Sequence, residues 1–128
     1  MWSDKYYYLN IYYDETLSRD FDTQTLVAFM KSLPELKEKE ALMFGNAPDF
    51  PFTNILLLKA KGLNQWSDRD RNIEKTNLIA IVCTKDTVPN FEKHQSLFIK
   101  IATFMDWQLV DEHTDDDIEN YVLWAPEK

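Results

Sequence analysis

The most regular pattern of side chains near the start of the chain is the aromatic segment YYYLNIYY, residues 6 to 13. It holds five of the six tyrosines and neither Gly nor Pro, a composition typical of a β-strand. Because successive side chains of a strand point to opposite faces, half of these residues share each face. One face would carry Tyr7, Leu9, Ile11 and Tyr13. The other face, polar and aromatic, would carry Tyr6, Tyr8, Asn10 and Tyr12.

Apolar residues at helical spacing predict two amphipathic helices. The first follows the candidate N-caps Asp22 and Thr23 and ends before Pro34. Its apolar positions are Leu26, Phe29, Met30 and Leu33. The second begins at the candidate cap Asn90. Its apolar positions are His94, Leu97, Phe98, Ile101 and Met105.

Five further segments have the composition of strands. A short strand within EALMFGNAPDFPF precedes TNILLLKAKG, in which alternate leucines predict one buried face. The continuous apolar run NLIAIVCT is typical of a central strand covered on both faces. WQLVDEH and IENYVLWAP, joined by a TDDD turn, predict a terminal hairpin.

The resulting order of elements is β-α-β-β-β-α-β-β, which predicts an α+β fold. Two helices cannot cover both faces of such a sheet, so we expect a two-layer sandwich of a mainly antiparallel sheet with both helices on one face. The other face would be open. With 128 residues, 45% apolar content and no internal repeat or linker, we expect residues 1–128 to form a single globular domain.

Charge changes this picture because it is unevenly distributed. The formal net charge is -8, and residues 101 to 128 contain eight acidic residues against one lysine. A negative field repels phosphate backbones, so direct nucleic-acid binding is disfavoured and a basic protein partner is favoured. No segment has the length of an apolar membrane span, and the N-terminus lacks the pattern of a secretory signal, which predicts a cytoplasmic protein without membrane attachment.

Several chemistries are disfavoured by what the sequence lacks. The chain has two glycines, too few for the phosphate-binding loops of nucleotide enzymes, and one cysteine, Cys83, too few for a disulfide or a cysteine zinc cluster. The acidic segment DEHTDDD lacks the spacing of a calcium loop. A nucleophilic pair of Cys83 and His94 has no oxyanion-hole motif beside it, and both residues lie on apolar elements. We therefore expect no cofactor, no metal site and no catalytic residue.

The tyrosines on the open face and the acidic hairpin together point to a binding surface. Tyrosine offers a large apolar area with a polar tip, which suits interfaces, and clustered carboxylates accelerate the encounter with a basic partner. Alternatively, the tyrosines could simply pack against neighbouring side chains on a partly solvated sheet face. The acidic residues could likewise be no more than solvated surface charges. The candidate partner-binding residues are Tyr6, Tyr8, Tyr12, Asp111, Glu112, Asp115, Asp116, Asp117 and Glu119.

The segments PELKEKEALMFGNAPDFPF and IATFMDWQLVDE, with the size and acidity of the chain, resemble those of small bacterial immunity proteins that neutralise polymorphic or contact-dependent toxins. The resemblance implies a cytoplasmic, non-enzymatic inhibitor that blocks a toxin, often a nuclease with a basic substrate cleft. The acidic side chains would then mimic a nucleic-acid backbone. The resemblance assigns no role to any single residue.

Two other functions remain compatible with the sequence. The tyrosine faces of two copies could pair across a two-fold axis in a homodimeric structural or adaptor domain. Alternatively, a pocket between helices and sheet, near Cys83, His94 and Trp66, could bind a small ligand or perform an unrecognised reaction.

Overall fold

The computed structural model describes residues 5–85 and 88–126, apart from the side chains of residues 88–90. The strands are β1 Tyr6–Tyr12, β2 Phe21–Asp22, β3 Leu36–Glu40, β4 Met43–Asn46, β5 Thr53–Leu58, β6 Lys75–Thr76, β7 Leu78–Thr84, β8 Gln108–His113 and β9 Glu119–Trp124. The helices are α1 Thr23–Lys31 and α2 Val88–Met105, with a short 3₁₀ helix at Asp68–Asp70.

Seven strands form one sheet in the order β3-β4-β5-β7-β1-β8-β9, and β2 pairs with β6 in a small second sheet. All strand pairs of both sheets are antiparallel. The predicted α+β fold is confirmed, and β7 occupies the central position expected from its continuous apolar run. No helix within the described residues is long and apolar enough to cross a membrane.

Both predicted helices form, and local sequence explains their ends. The Asp22 carboxylate accepts a hydrogen bond from the Thr25 backbone N–H at 2.9 Å and so caps α1. The second helix starts two residues before the predicted cap Asn90. Its end is a Schellman turn in which Asp106 adopts a left-handed φ of 61° and Trp107 N–H donates to the Ala102 carbonyl.

The main core lies between the helices and one face of the sheet. Its buried members are aliphatic residues of the central strands packed against the apolar stripes of both helices, among them Leu9, Ile11, Ile55, Leu57, Ile79, Ile81, Leu26, Met30, Leu97 and Ile101. Burying one such side chain contributes roughly 1.5–3 kcal/mol, so this layer provides most of the stability.

Residues within the described part of the chain cover a portion of the opposite face of the sheet, so the expectation of a fully open face is wrong. Leu17 and the loop residues Leu63 and Trp66 pack over a second apolar cluster. The sheet residues of this cluster are Tyr12, Leu56, Leu58, Leu78, Ala80 and Val110, with Ala60 beyond the end of β5. Strand β5 therefore packs apolar side chains on both faces, with Ile55 and Leu57 in the main core and Leu56 and Leu58 in the second cluster, while Asn54 is only half-buried.

A buried amide holds this covering loop on the sheet. The Asn77 side chain donates to the Ala60 carbonyl at 2.9 Å and accepts from the Ala60 N–H at 2.7 Å. This reciprocal pair satisfies backbone groups that would otherwise be buried without partners. The polar composition of residues 59 to 77 gave no sign that the segment folds back onto the sheet.

Candidate partner-binding surface

Beyond the second cluster, this sheet face carries a row of half-buried side chains across three neighbouring strands. The register pairs Tyr8 of β1 with Val82 of β7, and Val82 with Asn54 of β5. Since directly opposite residues project to the same face, these three side chains lie side by side. We name this region, with Tyr6 and Phe52 at its end, the open half-face.

Tyr6 and Phe52 form an exposed aromatic pair at the end of the open half-face. Their ring centroids lie 5.8 Å apart with an edge-to-face geometry, and 37% of Tyr6 and 43% of Phe52 remain exposed. The sequence did not predict Phe52 as a surface residue of this site, because Phe52 follows Pro51 in a segment with the composition of a loop. Only the pairing of β5 with β7, which places residue 52 beside Thr84, could have revealed it.

Tyr12 does not belong to this surface, and its assignment as an exposed anchor is wrong. The residue is 1% exposed within the second cluster. Burial, and secondarily the negative charge of Glu15, raises the pKa of Tyr12 to about 12. It lies on the predicted face of β1, but at the end that the covering loop protects.

The acidic hairpin forms as predicted, and its turn is well defined. The Thr114 N–H donates to the Ile118 carbonyl at 2.9 Å, and the Asp117 N–H donates to the Thr114 carbonyl at 3.0 Å. Asp117 takes a left-handed φ of 61°, which aspartate tolerates better than most residues. The exposed acids of this region are Asp115, Asp116, Asp117 and Glu119.

Two interactions orient the acids of the turn. His113 Nε2 lies 3.1 Å from Asp117 Oδ1, and this hydrogen bond lowers the pKa of Asp117. Lys85, at the end of β7, pairs with Asp115 and places its ammonium 5.1 Å from the centroid of the Tyr7 ring. The turn is therefore tied to the central strands.

Asp111 and Glu112 differ from the exposed acids of the turn. Asp111 is 7% exposed, because its register opposite Leu9 points it towards the helix side of the sheet. Burial raises the pKa of both carboxyls, and the proximity of Asp111 adds to the effect at Glu112. The expectation of an exposed Asp111 is therefore wrong, while the half-buried Glu112 lies on the same face as Tyr8.

Cys83 and His94 are both buried on the helix side of the sheet, while Trp66 lies half-buried on the opposite face, so the three residues do not share a pocket. Cys83 is fully buried, and burial raises its pKa to about 12, so the reactive thiolate is not populated at neutral pH. His94 is also buried, stacked on Phe98 and edge-on to Phe50. Within residues 5–85 and 88–126, no three histidine, cysteine or acidic side chains are grouped so as to hold a metal ion.

The surface thus combines exposed aromatic rings with carboxylates on an ordered turn at one end of the sheet. Such a surface suits a cationic protein surface, because the rings bury apolar area and the carboxylates attract basic side chains. Comparison with known proteins gives no match to a family model, to a curated protein or to a solved structure.

Proposed function

We propose that this protein is a non-catalytic inhibitor, of the immunity-protein kind, that binds a basic toxin in the cytoplasm, and that the toxin is a nuclease. The observation that carries the proposal is the exposed Tyr6–Phe52 pair at the same end of the sheet as the acidic turn. The aromatic pair supplies the apolar anchor, and the turn supplies the charge that a nucleic acid would otherwise bring to the toxin.

The contact residues in this proposal differ from those expected from sequence. Tyr6, Tyr8 and the unpredicted Phe52 form the aromatic part. The acidic part consists of the half-buried Glu112 and the exposed Asp115, Asp116, Asp117 and Glu119. Tyr12 and Asp111, both buried, support the surface from within the fold.

Charge reversal tests the electrostatic part. The double variant Asp116→Lys and Glu119→Lys changes two exposed acids of the hairpin, and the matched control Glu74→Lys and Glu92→Lys changes two exposed acids elsewhere. Both variants alter the net charge equally. Tagged proteins are used to purify partners from the source cells with a salt gradient, and association rates with the purified partner are then measured.

We expect the hairpin variant to associate about tenfold more slowly at low salt than the control, with a weaker dependence on ionic strength. Equal rates for the two variants would contradict the proposal. So would a partner that is acidic, or one whose activity is unchanged when bound.

The aromatic pair is tested separately with Tyr6→Ala and Phe52→Ala. Truncation of an interface anchor costs about 2 kcal/mol or more of binding free energy, mainly as faster dissociation. Light scattering over a concentration series distinguishes the proposal from the homodimer. A persistent dimer that is lost in these variants would favour pairing of two copies through this surface.

A further inference from the structure

A cleft of about 560 Å³ lies at the opposite end of the sheet from the acidic turn. It is bounded by the chain leaving β1, by the turn between α2 and β8, and by the segment after β9, with Tyr13, Trp107 and Pro126 among its lining residues. The volume is within the usual range of small-molecule sites. None of the proposed partner-binding residues lines it.

Arg19 supplies a positive charge to this cleft. Its guanidinium carbon lies 4.2 Å from the centroid of the Tyr13 ring, a cation–π contact. The N–H donors of a guanidinium match the geometry of a carboxylate. Among the ion pairs of the described residues, none includes Arg19.

Asp106 supplies a negative charge to the same cleft. It follows the last residue of α2, so its exposed carboxylate lies where the helix dipole is also negative. This position favours a cation, yet no ion pair of the described residues includes Asp106. An ammonium group bound here would interact favourably with both the Asp106 carboxylate and the negative end of the helix dipole.

Asp14, the other acid of the cleft, is already engaged in its own loop. Its carboxylate accepts from the Ser18 N–H at 2.9 Å and from the Thr16 hydroxyl at 3.0 Å. Arg19 and Asp106 are two opposite charges that share the cleft and form no ion pair with each other, and Asp14 adds a third charge that its own loop holds in place.

We propose that this cleft binds a zwitterionic amino acid or short peptide. The ligand carboxylate pairs with Arg19, the ligand ammonium pairs with Asp106, and the apolar part of the ligand lies against Tyr13 and Pro126. This binding does not depend on the toxin-binding function, because the two surfaces lie at opposite ends of the sheet.

The test is an NMR titration of the purified protein with L-phenylalanine and with the dipeptide Gly-L-Phe, each to about 10 mM, where weak binding is still measurable. The Arg19 Nε–H and Trp107 indole N–H resonances report on the cleft. N-acetyl-Gly-L-Phe and Gly-L-Phe amide each lack one ligand charge. We expect saturable shifts with at least one zwitterion and at least about tenfold weaker binding of both capped dipeptides.

Two variants connect the binding to the named charges. Arg19→Met keeps the aliphatic stem, and Asp106→Asn keeps a residue suited to the left-handed turn, so both should fold. We expect each to weaken binding about tenfold, equivalent to about 1.4 kcal/mol, while the control Arg69→Met binds as the wild type does. Absence of shifts with both zwitterions, equal binding of the capped dipeptides, or unchanged affinity in both variants would overturn the proposal.

Discussion

At the scale of single residues, neighbours in sequence have opposite roles. Asp111 is buried beside Leu9, while Asp115 and Asp116, a few positions later, are exposed. Sequence counts all three as equivalent negative charges, because composition carries no information on the face to which a strand residue points. The distinction between a buried carboxyl and an exposed one in this region depends on strand register and on position in the turn.

Replacement of Asp111 by Asn is expected to stabilise the protein at neutral pH. Burial raises the folded pKa of Asp111, so the native state binds this proton more tightly than the unfolded chain does. As pH rises from the pKa of Asp111 in the unfolded chain through its higher pKa in the folded protein, the contribution of Asp111 to the free energy of unfolding therefore falls. Asn removes the buried charge and keeps an oxygen for the His113 N–H, which Asp111 accepts at 3.2 Å.

We expect a gain on the order of 1 kcal/mol at pH 7 that shrinks towards pH 4, measured by urea unfolding at several pH values. The exposed Asp116→Asn serves as control and should show no comparable gain. A variant Asp111→Asn less stable than wild type at pH 7 would show that the charge is compensated within the fold.

The tyrosines of β1 also separate into core and surface residues. Tyr12→Ala removes a buried ring and should lower the free energy of unfolding by about 3–5 kcal/mol. Tyr6→Ala, at the exposed end of the strand, should lower it by less than about 1 kcal/mol. Chemical denaturation measures both changes, and similar losses for the two variants would argue against the covering of Tyr12 by the loop.

At the scale of elements, predictability follows the strength of local signals. The cap Asp22, the apolar spacing and Pro34 together predict α1. The continuous apolar run of β7 predicts a central strand. β3, with the sequence LKEKE, was missed because an edge strand with exposed charged residues shows no apolar alternation. The two-residue strands β2 and β6 exist only through their pairing with each other, so the local sequence of either one does not predict a strand.

The ion pair between Lys85 and Asp115 joins the hairpin turn to the end of β7. Lys85→Met keeps the apolar stem and removes the ammonium, so we expect faster hydrogen exchange at the Asp117 and Ile118 amides. The matched control Lys100→Met removes a second ion pair, that with Glu35. If hydrogen exchange in the turn is the same in Lys85→Met as in the wild type, the hydrogen bonds within the turn are sufficient to keep it ordered.

At the scale of the whole molecule, the charge asymmetry was visible from sequence, while the division of the sheet face was not. The acidic C-terminal part could be counted directly, and its hairpin was expected. The covering of half the face depends on Leu63 and Trp66, two apolar residues in a polar loop, whose contacts are long-range. This loop decides which tyrosines are available to a partner.

We propose that the open half-face and the acidic turn together bind a basic protein. Hydroxyl-radical footprinting of the purified complex tests it most directly, because aromatic side chains react according to their exposure. We expect Tyr6 and Phe52 to become protected in the complex, while Phe104, similarly exposed but on the helix side, keeps its reactivity. Protection of Phe104 with unchanged reactivity of Tyr6 and Phe52 would show that the partner binds elsewhere on the protein.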